Sequence, residues 1–142
     1  MTVIHPPEPY ASDPTQLLAL CVWREARGEC LEAKLGVVWT VLNRCHTRGQ
    51  GFQPDIAGNV LKPGAFSSFL DGDPNAIKYP RPDDPSWHDS LEVAQAAGIS
   101  DPTRGAVFYF SPPLTIPPIA WGRVELSAEI GRLKFYRIAG RS

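Results

Sequence analysis

Apolar residues recur at helical spacing near the start of the chain. Leu18, Cys21, Val22 and Glu25 follow the spacing i, i+3, i+4, i+7, which is typical of the buried face of an amphipathic helix. This stripe predicts a helix that runs to about residue 26. Its last member is a carboxylic acid, so Glu25 is expected to lie in a partly apolar environment.

The ends of this first helix are marked by residues that favour helix termini. Ser12 or Asp13 can cap the first N–H groups, and Pro14 suits the first helical position because its missing N–H is not needed there. Gly28 is a plausible stop for the helix. Glu29 would then lie on the turn beyond the helix.

A second helical pattern covers residues 31–44 and is apolar over much of its circumference. Gly36 inside it costs up to roughly 1 kcal/mol relative to alanine, which indicates a close approach by another helix. Asn43 is interpreted as a cap of this helix. The predicted buried stripe consists of Leu35, Val38, Trp39 and Leu42, widened by Val37 and Val41.

The rest of the chain contains long loops, one further helix and short strands. Residues 51–84 are rich in loop-forming residues, with a short helix predicted at 56–61, and Asp84 before a proline opens a third helix that is expected to end at Gly98. The strand-like segments are 106–110 and 134–138, and the segment 123–132 between them is predicted to be a short helix.

Length and composition favour one compact domain, and the patterns along the chain make it mainly helical (α+β). A chain of 142 residues with 43% hydrophobic residues suits a single core, so we expect one domain over residues 1–142, with 1–12 as an N-terminal extension. A net charge of −1 without long basic runs argues against nucleic acid binding. No apolar run approaches the roughly 20 residues that span a bilayer, so neither an export signal nor membrane insertion is expected.

The cysteines and histidines show no metal-binding spacing. The odd number of cysteines and the absence of a CxxC pattern argue against a disulfide framework or a zinc site. We therefore expect no metal and no cofactor. The residues concerned are Cys21, Cys30, Cys45, His5, His46 and His88.

Five sequence blocks occur in a characteristic order: REARGE, GVVWTVLNR, LKPGAFSSF, DPTRGAVFYF and IGRLKFYR. Across residues 17–137 this order resembles the cell-wall hydrolase family that includes spore-cortex-lytic enzymes and some phage lysins. The resemblance implies a lysozyme-like or lytic-transglycosylase-like catalytic domain with a short β-hairpin, acting on the glycan strands of peptidoglycan. It also implies that Glu25 is the catalytic acid.

The chemistry of glycoside cleavage agrees with that role. The leaving oxygen must be protonated, and both burial and the partial negative charge of a helix C-terminus favour the protonated form of a carboxyl group. Arg24, Arg27 and Lys34 would oppose this effect if they lay within a few Å. Glu29 remains an alternative acid if the register is displaced by one turn; otherwise it orients a loop or binds Arg27.

The second catalytic group decides the type of reaction. A hydrolytic glycosidase needs a second carboxylate roughly 5–9.5 Å from the first. A lytic transglycosylase needs only one glutamate, which acts first as acid and then as base to close a 1,6-anhydro ring. The resemblance favours the transglycosylase, with a muramidase as the alternative. The candidate second carboxylates are Glu29, Asp71, Asp73, Asp83 and Asp84.

The substrate groove is expected to use aromatic rings and hydroxyl groups, because sugar C–H faces are apolar and sugar hydroxyls need polar partners. For the phenylalanines, a place in the hydrophobic core is an equal alternative. The hydroxyl of Tyr109 would hold either the substrate or the glutamate. The predicted substrate-binding residues are Phe66, Ser67, Phe69, Tyr109, Trp121 and Glu29.

Two other functions remain as alternatives to glycan cleavage. A thiol of Cys21 or Cys30 paired with His88 would make a peptidase that cuts stem peptides, and an aromatic groove without turnover would make a glycan-binding module. Within the main hypothesis we expect a monomeric phage endolysin. It would be made in the cytoplasm and would act on the periplasmic wall after a partner holin opens the membrane.

Overall fold

The computed structural model describes residues 2–96 and 99–140. These residues form four α-helices, followed by one three-stranded antiparallel sheet. The helices are α1 (Pro14–Ala26), α2 (Leu31–Cys45), α3 (Ile56–Val60) and α4 (Pro85–Gln95). The strands are β1 (Phe108–Phe110), β2 (Val124–Ile130) and β3 (Leu133–Ile138), and short 3₁₀ turns occur at Ser67–Phe69, Pro74–Ile77 and Ile119–Trp121.

The predicted starts of α1 and α4 are confirmed. The Asp13 carboxylate accepts hydrogen bonds from the backbone N–H groups of Thr15 and Gln16, and Pro14 occupies the first helical position. Asp84 caps α4 in the same way by accepting from Ser86 N at 2.9 Å. The predicted end of this helix at Gly98 lies outside the described residues.

The segment 123–132 was expected to be helical, and this prediction is wrong. Residues Val124–Ile130 form strand β2, which pairs with β3 across a two-residue turn at Gly131 and Arg132, where Gly131 has φ +57°. The sequence VELSAEI alternates between apolar and polar residues, as a half-buried strand requires. The glycine then supplies the left-handed conformation that a tight hairpin turn favours.

Helix α1 lies at the centre of the core and packs against α2, α3 and α4. The buried face of α2 is rotated relative to the predicted stripe, because Leu35, Trp39 and Leu42 are only half buried. The face that meets the other helices contains Ala33, Val37, Val38, Thr40 and Val41, each 0% exposed. No helix in the described ranges is long and apolar enough to cross a membrane.

The close approach predicted at Gly36 is confirmed, but the neighbour is a strand. A Cβ atom at Gly36 would lie 2.5 Å from Cζ of Phe135 in β3. Phe135 is itself completely buried. This contact lets the sheet lie directly on α2, and it fixes the position of β1 beside the end of α1.

Candidate active site

A cavity of about 810 Å³ opens between the C-terminal ends of α1 and α2, the segment 62–67 and strand β1. Its lining residues come from three separate parts of the chain, namely Glu25, the range 44–67 and the range 108–121. Its lining consists of Glu25, Arg44, Gln50, Phe52, Asn59, Lys62, Pro63, Gly64, Ala65, Phe66, Ser67, Phe108, Tyr109, Leu114, Ala120 and Trp121.

Glu25 lies in the last turn of α1 and is half buried at this cavity. Its Oε1 accepts a hydrogen bond of 2.7 Å from the Tyr109 hydroxyl. Burial, reinforced by the nearby Glu25 carboxylate, raises the pKa of Tyr109 well above its ordinary value, so the phenol stays protonated and remains a donor. Of the two contacts expected for Tyr109, the structure contains the one with the glutamate.

Arg44 is the buried cation of this region, and it was not among the residues predicted from the sequence. It is 7% exposed, and its Nε donates to the Val107 carbonyl at 2.7 Å. Its guanidinium carbon lies 5.3, 5.0 and 5.6 Å from the ring centroids of Phe52, Phe66 and Phe108. Its spacing from Val37 and Val41 places it on the buried face of α2, which was the signal available in the sequence.

The charge of Arg44 acts on two polar groups that line the cavity, Tyr109 and Glu25, and on the buried Cys21. Desolvation lowers the pKa of Arg44, while Tyr109, Cys21 and Glu25 oppose that shift. A guanidinium group nevertheless stays charged at any physiological pH. Arg44 therefore places a fixed positive charge in the electrostatic neighbourhood of the glutamate.

The three cations that would oppose protonation of Glu25 at close range have other partners, and none lines the cavity. Arg24 donates to the Lys78 carbonyl at 3.0 Å, Arg27 donates to the Asn75 side chain at 3.1 Å, and Lys34 lies 3.7 Å from the Asp89 carboxylate.

Glu29 lies outside the cavity lining, so the structure does not bring it together with the other predicted substrate-binding residues. Its Oε2 accepts from Nη2 of Arg132 at 2.6 Å and from Nε at 3.1 Å. The Glu29 side chain is only 8% exposed. The partner expected for it was Arg27, but the hairpin turn between β2 and β3 supplies Arg132 instead.

The two predicted phenylalanines have different environments. Phe69 is 1% exposed and lies outside the cavity lining, beneath the Arg24 guanidinium, so the core alternative is confirmed for it. Phe66 is also buried but lines the cavity, and Ser67 beside it is exposed. Trp121 faces the same cavity.

Trp121 stacks on Phe108, with ring centroids 4.6 Å apart and an interplanar angle of 8°. Phe108 in turn contacts Phe52 with a centroid distance of 5.7 Å. These rings form a continuous aromatic wall on the side of β1. Phe52 and Phe108 were not predicted to line the cavity, because their neighbours come from distant parts of the chain.

Asn43 has a different role from the one expected. Its Nδ2 donates to Asp101 Oδ2 at 2.8 Å and to the Ala106 carbonyl at 2.9 Å. His46 occupies the C-cap position of α2. Asn43 thus ties the loop before β1 to α2, which supports the position of Tyr109.

Among the described residues, Glu25 is the only carboxylate of the cavity lining. Asp73 and Asp84 serve as helix caps, and Glu29 is paired with Arg132. The described residues also contain no group of three or more His, Cys, Asp or Glu side chains able to hold a metal ion.

The proposed cysteine–histidine pairing gains no support from the geometry. Cys21 is completely buried, and this burial raises the pKa of its thiol well above the ordinary value, which disfavours the nucleophilic thiolate. Nε2 of His88 lies 2.7 Å from the Pro82 carbonyl oxygen.

The chain is similar in sequence to spore cortex-lytic enzymes. It is 29% identical over 120 residues to that of Bacillus subtilis (strain 168), a match that covers 84% of this chain and 36% of the relative. The match to the enzyme of Oceanobacillus iheyensis is 28% identical over 134 residues and covers 91% of this chain and 43% of the relative. The chain therefore spans less than half the length of these curated relatives.

Two solved structures are similar in fold, and they confirm the predicted fold class. The catalytic domain of the Bacillus cereus SleB protein has a TM-score of 0.64 and 28% identity, covering 91% of this chain and 93% of that one. The catalytic domain of the germination-specific lytic transglycosylase SleB from Bacillus anthracis has a TM-score of 0.66 and 26% identity, covering 92% and 98%.

The family described as Cell Wall Hydrolase matches residues 28–136. That range includes the cavity-lining segments that follow α1, while Glu25 lies three residues before it. Because the match covers well over half of the 142 residues, the protein belongs to the cell wall hydrolase family.

Proposed function

We propose that the protein cleaves the β-1,4 bond between N-acetylmuramic acid and N-acetylglucosamine in peptidoglycan, as a lytic transglycosylase. The observation that carries this proposal is the single carboxylate, Glu25, in the described cavity lining. Hydrolysis by a carboxylate pair would need a second such group within reach. A transglycosylase needs one group that gives a proton and later takes one back.

In the proposed reaction, Glu25 first donates its proton to the glycosidic oxygen, and the bond from that oxygen to C1 of the muramic acid breaks. The resulting carboxylate then takes the proton of the muramic-acid C6 hydroxyl while its oxygen attacks C1. This step closes the 1,6-anhydro ring and returns Glu25 to its protonated state. No water is consumed.

The neighbours of Glu25 suit both halves of this cycle. Tyr109 donates to Oε1, and no other hydrogen bond from the described residues reaches the carboxyl group, which leaves Oε2 free for the substrate. Tyr109 and the positive charge of Arg44 also stabilise the carboxylate that exists between the two proton transfers.

The aromatic wall supports a sugar ligand. Trp121 and Phe108 present a stacked pair to the cavity, and stacked rings offer a flat apolar surface to the C–H face of a pyranose. Ser67 is exposed at the cavity and can hydrogen-bond a sugar hydroxyl or an N-acetyl carbonyl. The cavity therefore combines apolar and polar groups as a glycan site requires.

Digestion of purified sacculi tests the proposal. The wild type should release soluble muropeptides that carry 1,6-anhydro ends, identified by mass spectrometry as lighter by one water, and Glu25→Gln should release them about 10²- to 10⁴-fold more slowly. Reducing muramic-acid ends would instead identify a muramidase. Binding without any released fragment would identify a glycan-binding module.

A thiol reagent tests the peptidase alternative. Cys30 is exposed and should react with iodoacetamide at mildly alkaline pH, while the buried Cys21 should resist. We expect the alkylated protein to keep its glycan-cleaving activity. Loss of activity together with released stem peptides would contradict glycan cleavage.

We propose further that the protein acts as a phage endolysin and reaches the periplasmic wall through a partner holin. Only the expectations from the sequence support this finer proposal. Expression in a Gram-negative host should cause lysis when a holin is co-expressed and not when the protein is expressed alone. Lysis without the pore would contradict the need for a holin.

A further inference from the structure

Lys62 lines the same cavity as Glu25 and Arg44, and these three are its charged residues in the described part of the chain. Arg44 is buried and acts electrostatically on Glu25. Lys62 is half exposed and forms no salt bridge with another described residue. Neither of the two cations of the cavity forms a salt bridge with a described residue, and Lys62 is the more exposed of the two.

The position of Lys62 is fixed by the local backbone. The Lys62 carbonyl accepts from Ala65 N at 3.0 Å, Pro63 follows it, and Gly64 has φ +80°. This is the arrangement of a type II turn, in which proline takes the second position and glycine the third. The turn fixes Lys62 at the cavity, next to Phe66 and Ser67.

The ammonium group is also held by a hydrogen bond. Nζ of Lys62 donates to the Gly51 carbonyl at 2.5 Å, which joins the turn to the loop that carries Gln50 and Phe52 into the cavity. A lysine ammonium has three donors, so this contact leaves two available. The ammonium group of Lys62 is therefore held in place and still has donors available for a ligand.

We propose that Lys62 binds a carboxylate carried by the muramic-acid unit of the substrate. This inference rests on the proposed function, because it concerns the same cavity. The hydroxyl and acetamido groups of the sugars are neutral and need no cation. The anionic groups of a strand hang from the lactyl ether, as the free lactyl carboxylate in stripped strands or as stem-peptide carboxylates in intact ones.

The rest of the protein does not supply this attraction. The chain has a net charge of −1, so its overall field does not draw in an anionic polymer. A local ammonium with free donors can form a charge-assisted hydrogen bond with a carboxylate. Lys62 would thereby distinguish a muramic-acid-containing strand from a neutral polymer of N-acetylglucosamine.

Binding measurements on the inactive Glu25→Gln protein test the proposal. The ligands are peptide-bearing strands, amidase-stripped strands and neutral chitohexaose. Adding Lys62→Met should weaken the binding of the anionic strands about fivefold to tenfold and leave chitohexaose binding unchanged. Adding Lys62→Arg should restore binding, and Lys78→Met is the matched control, because Lys78 is exposed and outside the cavity lining.

Each outcome has a defined meaning. Weaker binding of stripped strands alone identifies the lactyl carboxylate as the ligand, and weaker binding of peptide-bearing strands alone identifies the stem peptide. Weaker binding of both anionic strands shows that Lys62 accepts either carboxylate. Unchanged dissociation constants, or an equal loss for chitohexaose, would overturn the proposal. Failure of the proposed function is separate, since it would appear as the absence of anhydro products from the enzyme with both Glu25 and Lys62 intact.

Discussion

The regions around Glu25 and Glu29 are only four residues apart in the chain, yet their carboxyl groups have different partners. Glu25 lies in the last turn of α1 at the cavity and accepts from the neutral Tyr109 hydroxyl. Glu29 lies beyond the turn, outside the cavity lining, and is paired with the positively charged Arg132. Both partners belong to the sheet region, Tyr109 to β1 and Arg132 to the turn between β2 and β3.

This difference separates a carboxyl group suited to proton transfer from one suited to structure. A neutral hydroxyl orients a carboxyl group in either protonation state, since it donates to the carboxylate and can accept from the acid. A guanidinium is donor-only and permanently charged, so it can donate to a carboxylate but cannot accept from a protonated acid. The partner group, more than the position in the helix, decides what each glutamate can do.

The largest expected effect comes from exchanging the two glutamates for glutamine. Glu25→Gln should lower the rate of anhydro-muropeptide release about 10²- to 10⁴-fold, because the proton donor is lost while the volume is kept. Glu29→Gln should retain most of the activity. Chromatography of sacculus digests measures both rates, and the reverse order of the two effects would make Glu29 the acid.

The second-largest effect should come from disturbing the packing of the sheet on α2, because this packing positions both Tyr109 and Arg132. Gly36→Ala should reduce the free energy of unfolding by about 1–3 kcal/mol, because the new methyl group would overlap the buried Phe135 ring. Gly28→Ala is the matched control, since a Cβ there meets no heavy atom within 4 Å. Urea denaturation measures both variants, and equal stabilities would contradict the tight contact.

Removing the Tyr109 hydroxyl, which donates to Glu25, should have a moderate effect on activity. Tyr109→Phe should lower kcat about tenfold, equal to about 1.4 kcal/mol, by releasing the Glu25 carboxyl group. The pKa of Tyr109 is raised, so the phenol keeps its proton at and above neutral pH, and the ratio of wild-type to variant activity should stay constant over that range. Tyr10→Phe, outside the cavity, is the control.

The smallest effect is expected from removing Arg132, the partner of Glu29. Arg132→Ala should cost at most about 1 kcal/mol of stability, because the Arg132 side chain is 72% exposed and its ion pair is screened by solvent. Thermal unfolding at low ionic strength and in about 0.5 M salt measures the difference, which should shrink as the Debye length falls. If Arg132→Ala cost as much stability in high salt as in low salt, the effect would come from packing and not from the ion pair.

Local sequence signals predicted the helices well and the sheet only in part. Asp13 and Asp84 cap their helices through side-chain bonds that span two or three residues, so their function is visible in the sequence. Strand β2 was taken for a helix, although its alternating pattern and the following Gly131 favoured a hairpin. Glu and Ala favour helices locally, and pairing with β3 overrode that preference.

The site residues also divide into those that the sequence predicted and those that it did not. Phe66, Ser67, Tyr109 and Trp121 line one cavity with Glu25, and all of them except Trp121 belong to the sequence blocks that carry the family resemblance. Phe69 lies only three residues after Phe66 but faces the core, since the intervening 3₁₀ turn redirects the chain. Arg44 was overlooked because its aromatic neighbours come from three separate segments.

The sequence by itself determined where α1 begins and that its apolar stripe ends on Glu25, because capping and helical periodicity act over a few residues. Tertiary structure alone decided the partners of the two glutamates. The hydrogen bond to Glu25 joins residues 84 positions apart, and the ion pair of Glu29 joins residues 103 positions apart. Such contacts depend on how the sheet packs on α2, and no local pattern specifies that packing.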